Sequence, residues 1–145
     1  MTLVRGDLEG QSTTPRSVIA IGLAPDVRGR LAELARGRTL VIDYYSARCC
    51  TSVLVGDLTI RWAELRPPGG FMPLEPIEGV AVVAEPRLLD VLERAGPSLA
   101  WGGPIFARHL AVRLDEPEAW IAFLETPAAF RSHRHGPIAA ARPAR

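Results

Sequence analysis

The sequence predicts an α+β fold: one domain of mixed, mostly antiparallel sheet with two or three short helices packed on it. Three observations carry that expectation. Runs rich in β-branched and aromatic residues recur, at Thr39-Leu-Val-Ile-Asp-Tyr-Tyr45, Gly79-Val-Ala-Val-Val-Ala84 and His109-Leu-Ala-Val-Arg-Leu114. Short stretches with helical apolar spacing lie among them, at Val27, Leu31 and Leu34, at Leu88, Leu89 and Leu92, and at Trp120, Ile121, Phe123 and Leu124. The chain has 145 residues, 48% of them hydrophobic, which suits one domain with one core.

Residues 1–14 are polar and aperiodic and are expected to form a disordered tail. The run Ser17-Val-Ile-Ala-Ile21 reads as a strand. Ala24-Pro25-Asp26 opens a helix with Pro in its first turn and Gly37 as its end, leaving Arg28, Arg30 and Glu33 pointing away from the apolar face. Thr39 to Tyr45 reads as a central strand. Thr51 to Val55 and Leu58 to Trp62 read as two further strands broken by the turn dipeptide Gly56-Asp57. Arg66-Pro-Pro-Gly-Gly70 is the clearest loop.

Gly79 to Ala84 is expected to be a buried strand. Pro86 starts a helix that runs to about Ala95 and stops at Gly96-Pro97. Ala100 to Pro104 reads as irregular, and His109 to Leu114 as a half-buried strand. Asp115-Glu-Pro-Glu118 has an Asp-x-x-Glu capping pattern ahead of a C-terminal helix. Residues 128–145 lose periodicity and are expected to form a mobile tail carrying Arg, His and Pro. The domain is therefore expected to span 15–127, with no internal repeat and no second core.

Charge excludes some classes of function. Seventeen basic residues, all of them Arg, balance sixteen acidic ones for a net charge of +1. Neither nucleic acid nor an anionic membrane is expected as the main partner. The absence of Lys and Asn fits the coding bias of a GC-rich genome or a thermophile, and speaks to neither site nor substrate. No apolar run of transmembrane length occurs, and Arg5, Asp7 and Glu9 interrupt the first ten residues where a signal peptide would be apolar. The expected setting is cytoplasmic and reducing, with both cysteines as thiols.

Those two cysteines, Cys49 and Cys50, are the one concentrated chemical signal. They fall between two expected strands, where sites built on a rigid scaffold tend to lie. Arg48 precedes them, and a fixed positive charge favours the thiolate that ligates or attacks. Against this stands the frequent burial of free Cys as a small hydrophobe. Neighbouring Cα atoms lie about 3.8 Å apart, short of the roughly 4.4–6.8 Å of an ordinary bridge, so a vicinal disulfide would be strained and labile. Two thiols are also too few for a closed zinc or iron–sulfur site, which takes four ligands. The remainder would come from His109, from a small molecule, or from the cysteine pair of a second subunit in a two-fold dimer.

Other candidates are less specific. His133 and His135, at i, i+2 beside Arg131 and Arg134, form a weak metal pattern in the expected tail. Asp43, Asp57 and Glu64 are selected by no spacing rule. Gly102-Gly103 lacks the Lys of a phosphate loop, and no G-x-S-x-G or H-E-x-x-H pattern occurs.

The order of elements resembles a known family. Ser17-Val-Ile-Ala-Ile-Gly-Leu-Ala-Pro25 before a helix, then Thr39-Leu-Val-Ile-Asp-Tyr-Tyr45 before a Cys, is similar to the start of the HesB-type domain of A-type iron–sulfur carriers. Gly79-Val-Ala-Val-Val-Ala-Glu-Pro-Arg-Leu-Leu89 and His109-Leu-Ala-Val-Arg-Leu-Asp-Glu-Pro117 resemble later segments of it. The likeness spans roughly 17–117 and sets Cys49 or Cys50 on the family's first Cys. The family's C-terminal Cys-x-Cys has no counterpart here. What the resemblance implies is a β-rich α+β fold, a dimer, and an iron or iron–sulfur cargo.

The expectation is thus a non-enzymatic binding or carrier domain for a thiophilic metal or iron–sulfur species, with an iron–sulfur cluster, iron and zinc as the candidates, working as a homodimer. Its ligands would be Cys49 and Cys50, with His109 as a further metal ligand and Arg48 biasing the thiols. The rival is thiol redox chemistry through the vicinal pair, with His109 as base. A third reading makes the chain a structural or interaction domain with both Cys in its core.

Overall fold

The computed structural model describes residues 19–48, 54–64 and 69–130. Cys49, Cys50, His133, His135, the expected strand at Thr51–Val53, most of the Arg66–Gly70 loop and the two expected tails, apart from residues 128–130, lie outside those residues. The architecture is α+β, with two mixed sheets and three short α-helices. In chain order the strands are β1 (Gly22–Leu23), β2 (Thr39–Arg48), β3 (Leu54–Ala63), β4 (Met72–Pro73), β5 (Val82–Ala84), β6 (Pro97–Gly102) and β7 (His109–Leu114). The helices are α1 (Leu31–Ala35), α2 (Leu89–Ala95) and α3 (Pro117–Leu124). No helix among the described residues is long and apolar enough to cross a membrane.

The larger sheet has the order β3-β2-β5-β4, the smaller β1-β6-β7. In each, one parallel pair (β2 with β5, β1 with β6) sits beside antiparallel ones. β2 is central, and Leu40, Val41 and Ile42 are all fully buried because both faces of the sheet are covered there. Leu40, Ile42 and Tyr44 join the main core with Val27 and Leu31 before and in α1, Val82 and Ala84 of β5, Leu88 and Leu92 around α2, Leu99 of β6 and Trp120 of α3. Val41 turns the other way, onto Ala63, Val83 and the half-buried Phe71.

The expected strand at Ser17–Ile21 is displaced. Among the described residues, from 19 onward, Ile19 is buried and pairing begins at Gly22, where the chain meets Ser98 of β6. The helix expected from Pro25 is delayed to Leu31. Gly29 is left-handed (φ 81°) and its N–H is taken by Glu78 Oε2 at 2.7 Å, which diverts the chain from a helical path. Gly56-Asp57 is not a turn: β3 runs straight through it. A Cβ at residue 56 would land on the Tyr45 carbonyl of β2, so the glycine serves the close approach of two strands. Ala100 to Pro104 is not irregular throughout, because β6 reaches Gly102, with Ala100, Trp101 and Gly102 paired to Ala111, Leu110 and His109 of β7. The Asp-x-x-Glu pattern forms no capping box. The residue at the N-cap of α3 is Glu116, whose side chain makes no cap bond, while Asp115 lies against Gly96.

Residues 128–130, expected in the tail, are packed. A 3₁₀ turn at Pro127–Ala129 follows α3, and Ala129 is fully buried against β2.

Candidate functional site

β2 and β3 form a long antiparallel ladder whose last pair among the described residues is Arg48 opposite Leu54. Residues 49–53, with both cysteines, therefore join two paired strand ends. Those ends are fixed from the C-terminal side. Tyr44 Oη donates to Ala129 O at 3.1 Å, and Ser46 Oγ donates to the same carbonyl at 2.9 Å. Trp120 Nε1 donates to Gly56 O at 3.3 Å. Tyr44 meets Trp120 and Phe123 edge-on, with centroids 5.9 and 5.4 Å apart, and Trp120 stacks on Phe123 at 5.3 Å. Such pairs each contribute about 0.5–1.5 kcal/mol beyond their burial. Two strand positions and one carbonyl thus hold the chain that leaves α3 against the hairpin end.

Beside this junction lies a cleft of about 560 Å³. Arg48, Leu54, Ile121, Leu124, Glu125 and Phe130 are among its walls. Ile121, Phe130 and the neighbouring Val55 are exposed for their size, at 57%, 48% and 44%. The Arg48 guanidinium sits over the Phe130 ring, 5.2 Å from its centroid, so the one cation adjacent to Cys49 is held at the cleft.

His109 is elsewhere. It begins β7 opposite Gly102, and its Nδ1 lies 3.5 Å from Ala107 O. It lines a second cavity, of about 520 Å³, together with Trp62 and Arg38. Trp62 pairs with Leu40 at the start of β2, whereas Arg48 ends it. At about 3.3 Å per residue, the stretch from Leu40 to Arg48 spans about 26 Å. A segment of five residues (49–53) closed at both ends reaches out no more than about 10 Å. The structure thus separates His109 from Arg48 and Leu54, the strand ends that flank the cysteines, while Cys49 and Cys50 themselves lie outside the described residues. Among the described residues no three His, Cys, Asp or Glu side chains are grouped as a metal site. Asp43 and Asp57 face Thr59 and Tyr45 across the ladder.

The second cavity escaped the sequence reading. Its walls include Arg30, Glu33, Arg36, Arg38, Trp62 and Trp101. In sequence Arg30 and Glu33 read as pointing away from the apolar helix face, which their exposure fits. What gathers them with Trp62 and Trp101 is the packing of α1 beside β3 and β6, a long-range fact with no local periodicity. The one available signal was the placement of four Arg (Arg28, Arg30, Arg36, Arg38) around a single short apolar stretch.

No family model matches the chain, and no curated protein is similar to it. Function must therefore be argued from these residues.

Proposed function

We propose that the chain is a non-enzymatic binding or carrier domain whose thiols, Cys49 and Cys50, hold a thiophilic metal or an iron–sulfur species, as a homodimer. The observation that supports this reading is the register of Arg48 with Leu54, which confines the pair to a short connection between anchored strand ends. Ligands tied to a rigid scaffold lose little entropy when they close on a metal. Arg48 beside Cys49 favours thiolates, the ligating form.

The donor set decides the stoichiometry. One chain offers two thiols, and His109 lies at the other end of the hairpin from Arg48 and Leu54, the residues that flank them. A two-fold dimer that faces the pairs toward each other supplies four thiolates, the number a tetrahedral zinc or a [2Fe–2S] centre takes. The likeness to the HesB-type domain belongs to the same proposal, with the paired cysteines standing in for the missing Cys-x-Cys.

The test is elemental analysis with an absorption spectrum on protein purified without oxygen, beside a Cys49→Ser/Cys50→Ser variant. The proposal expects about one metal centre per two chains in the wild type and none in the variant. A metal-free wild type that also takes up no zinc or iron under reducing conditions overturns it. If mild peroxide instead converts the 49–50 peptide to a form lighter by two hydrogens, with the peroxide leaving as water, the thiols are a redox pair.

A further inference from the structure

The cavity at the Leu40–Trp62 end owes nothing to the cysteines. We infer that it is a binding site for a phosphorylated ligand that carries a flat ring, of the nucleoside phosphate class.

Charge comes first. Arg30, Arg36 and Arg38 line the cavity against one acid, Glu33, for a local charge of +2 with His109 neutral. The chain as a whole carries only +1, so this concentration is local. A phosphate monoester brings about −1.5 to −2 at neutral pH, which matches it. Arg30, Glu33 and Arg36 make no ion pair or side-chain hydrogen bond among the described residues, so the charge of the two arginines is not spent internally. Arg108 adds a further cation at the rim, over the Trp101 ring at 6.0 Å.

Preorganisation comes second. Arg38 does not wave in solvent. Its Nε donates to Ala35 O at 2.9 Å and its terminal nitrogen to Leu34 O at 3.1 Å, closing the end of α1. It also stacks over Trp62 at 5.3 Å. Trp101 is tethered by its Nε1, which donates to Asp26 O at 3.3 Å. Two held indoles and a held guanidinium offer flat surfaces to a ring, while the guanidinium forks suit phosphate oxygens. The volume, about 520 Å³, lies within the range of about 300–1,000 Å³ of small-molecule sites.

The backbone gives a third argument. Arg36 is left-handed, with φ 49° and ψ 44°, at the C-cap of α1. Glycine or asparagine takes that conformation at less cost. An arginine there works against the local backbone and sets a guanidinium in the cavity wall. The same face opposes self-association, because a second copy would bring like charges together.

Tryptophan emission provides the readout. Trp62 and Trp101 line the cavity, whereas Trp120, the buried residue of α3, sits at the far end and supplies an unquenched remainder. The full chain is titrated with adenosine 5′-monophosphate, inorganic phosphate and adenosine. The inference expects saturable quenching by the nucleotide, with a Kd of about 1 mM or tighter and at least about tenfold tighter than for either half. Arg36→Asn should weaken that binding about tenfold, as the loss of one charge-assisted contact does, while its melting temperature equals or exceeds the wild type's. Arg30→Ala, at an exposed position, should weaken it likewise without unfolding the chain. Absence of nucleotide binding, equal binding of phosphate or adenosine, or unchanged binding in both variants overturns the inference. Much tighter binding of a single-stranded oligonucleotide replaces it with a nucleic-acid surface.

Discussion

The two ends of the β2–β3 hairpin differ in kind. At the Arg48–Leu54 end the strands meet α3 and the 3₁₀ turn after it, an aromatic cluster fills the junction, and the cleft outside is walled by Ile121, Leu124 and Phe130. At the Leu40–Trp62 end they meet α1 and the β6–β7 hairpin, and the cavity is walled by three arginines, two indoles and His109. One end is tied by hydrogen bonds to a single carbonyl, at Ala129; the other is left cationic and open. The difference teaches that Arg48, which precedes the cysteines, and His109, joined in one expected site along the sequence, lie at two different surfaces. A strand of ten residues is long enough to keep them apart.

The largest test of the tied end is Tyr44→Ala. Tyr44 is buried, donates to Ala129 O and meets two rings, so its removal should cost about 3–5 kcal/mol in urea unfolding. A cost below about 1 kcal/mol would mean that the C-terminal segment is not held as described. Next comes Gly56→Ala, which forces the strands apart where they approach most closely and should destabilise by about 1–3 kcal/mol. If Gly56 acted as a turn residue outside a ladder, alanine would be tolerated with a smaller loss.

Ser46→Ala sharpens the picture further. It removes one of two donors to Ala129 O and leaves the Tyr44 hydroxyl in place, so the expected loss is about 1 kcal/mol. Arg48→Gln should be smaller still in stability, about 0.5–1 kcal/mol from the lost contact over Phe130, measured by the same unfolding. In thiol labelling at fixed pH it should slow alkylation of Cys49 by iodoacetamide, because the adjacent positive charge is gone. A rate that is unchanged would remove Arg48 from the proposed role.

Much of the fold was legible in the chain, because it was written in local pattern. The β-branched run at Thr39–Tyr45 marks the central strand, which continues three residues further to Arg48, and Leu88 and Leu92 mark the buried face around α2. What could not be read came from partners far away in sequence. Pairing with β7 makes a strand of Ala100–Gly102, and the close approach of Tyr45 makes Gly56 a strand residue. The site was legible in the same uneven way. Cys49–Cys50 stands out as an adjacent pair of a reactive residue type, while the distance of His109 from Arg48, and the grouping of Arg30, Arg36 and Arg38 with two indoles, exist only after the hairpin has been laid between them.

The most direct measurement is metal content in the His109→Ala variant, set beside Cys49→Ser/Cys50→Ser, both purified without oxygen. Separate ends predict that His109→Ala keeps the full metal content and spectrum of the wild type while the double serine variant loses both. Loss of metal in His109→Ala, in a variant that unfolds at the wild-type temperature, would contradict the account.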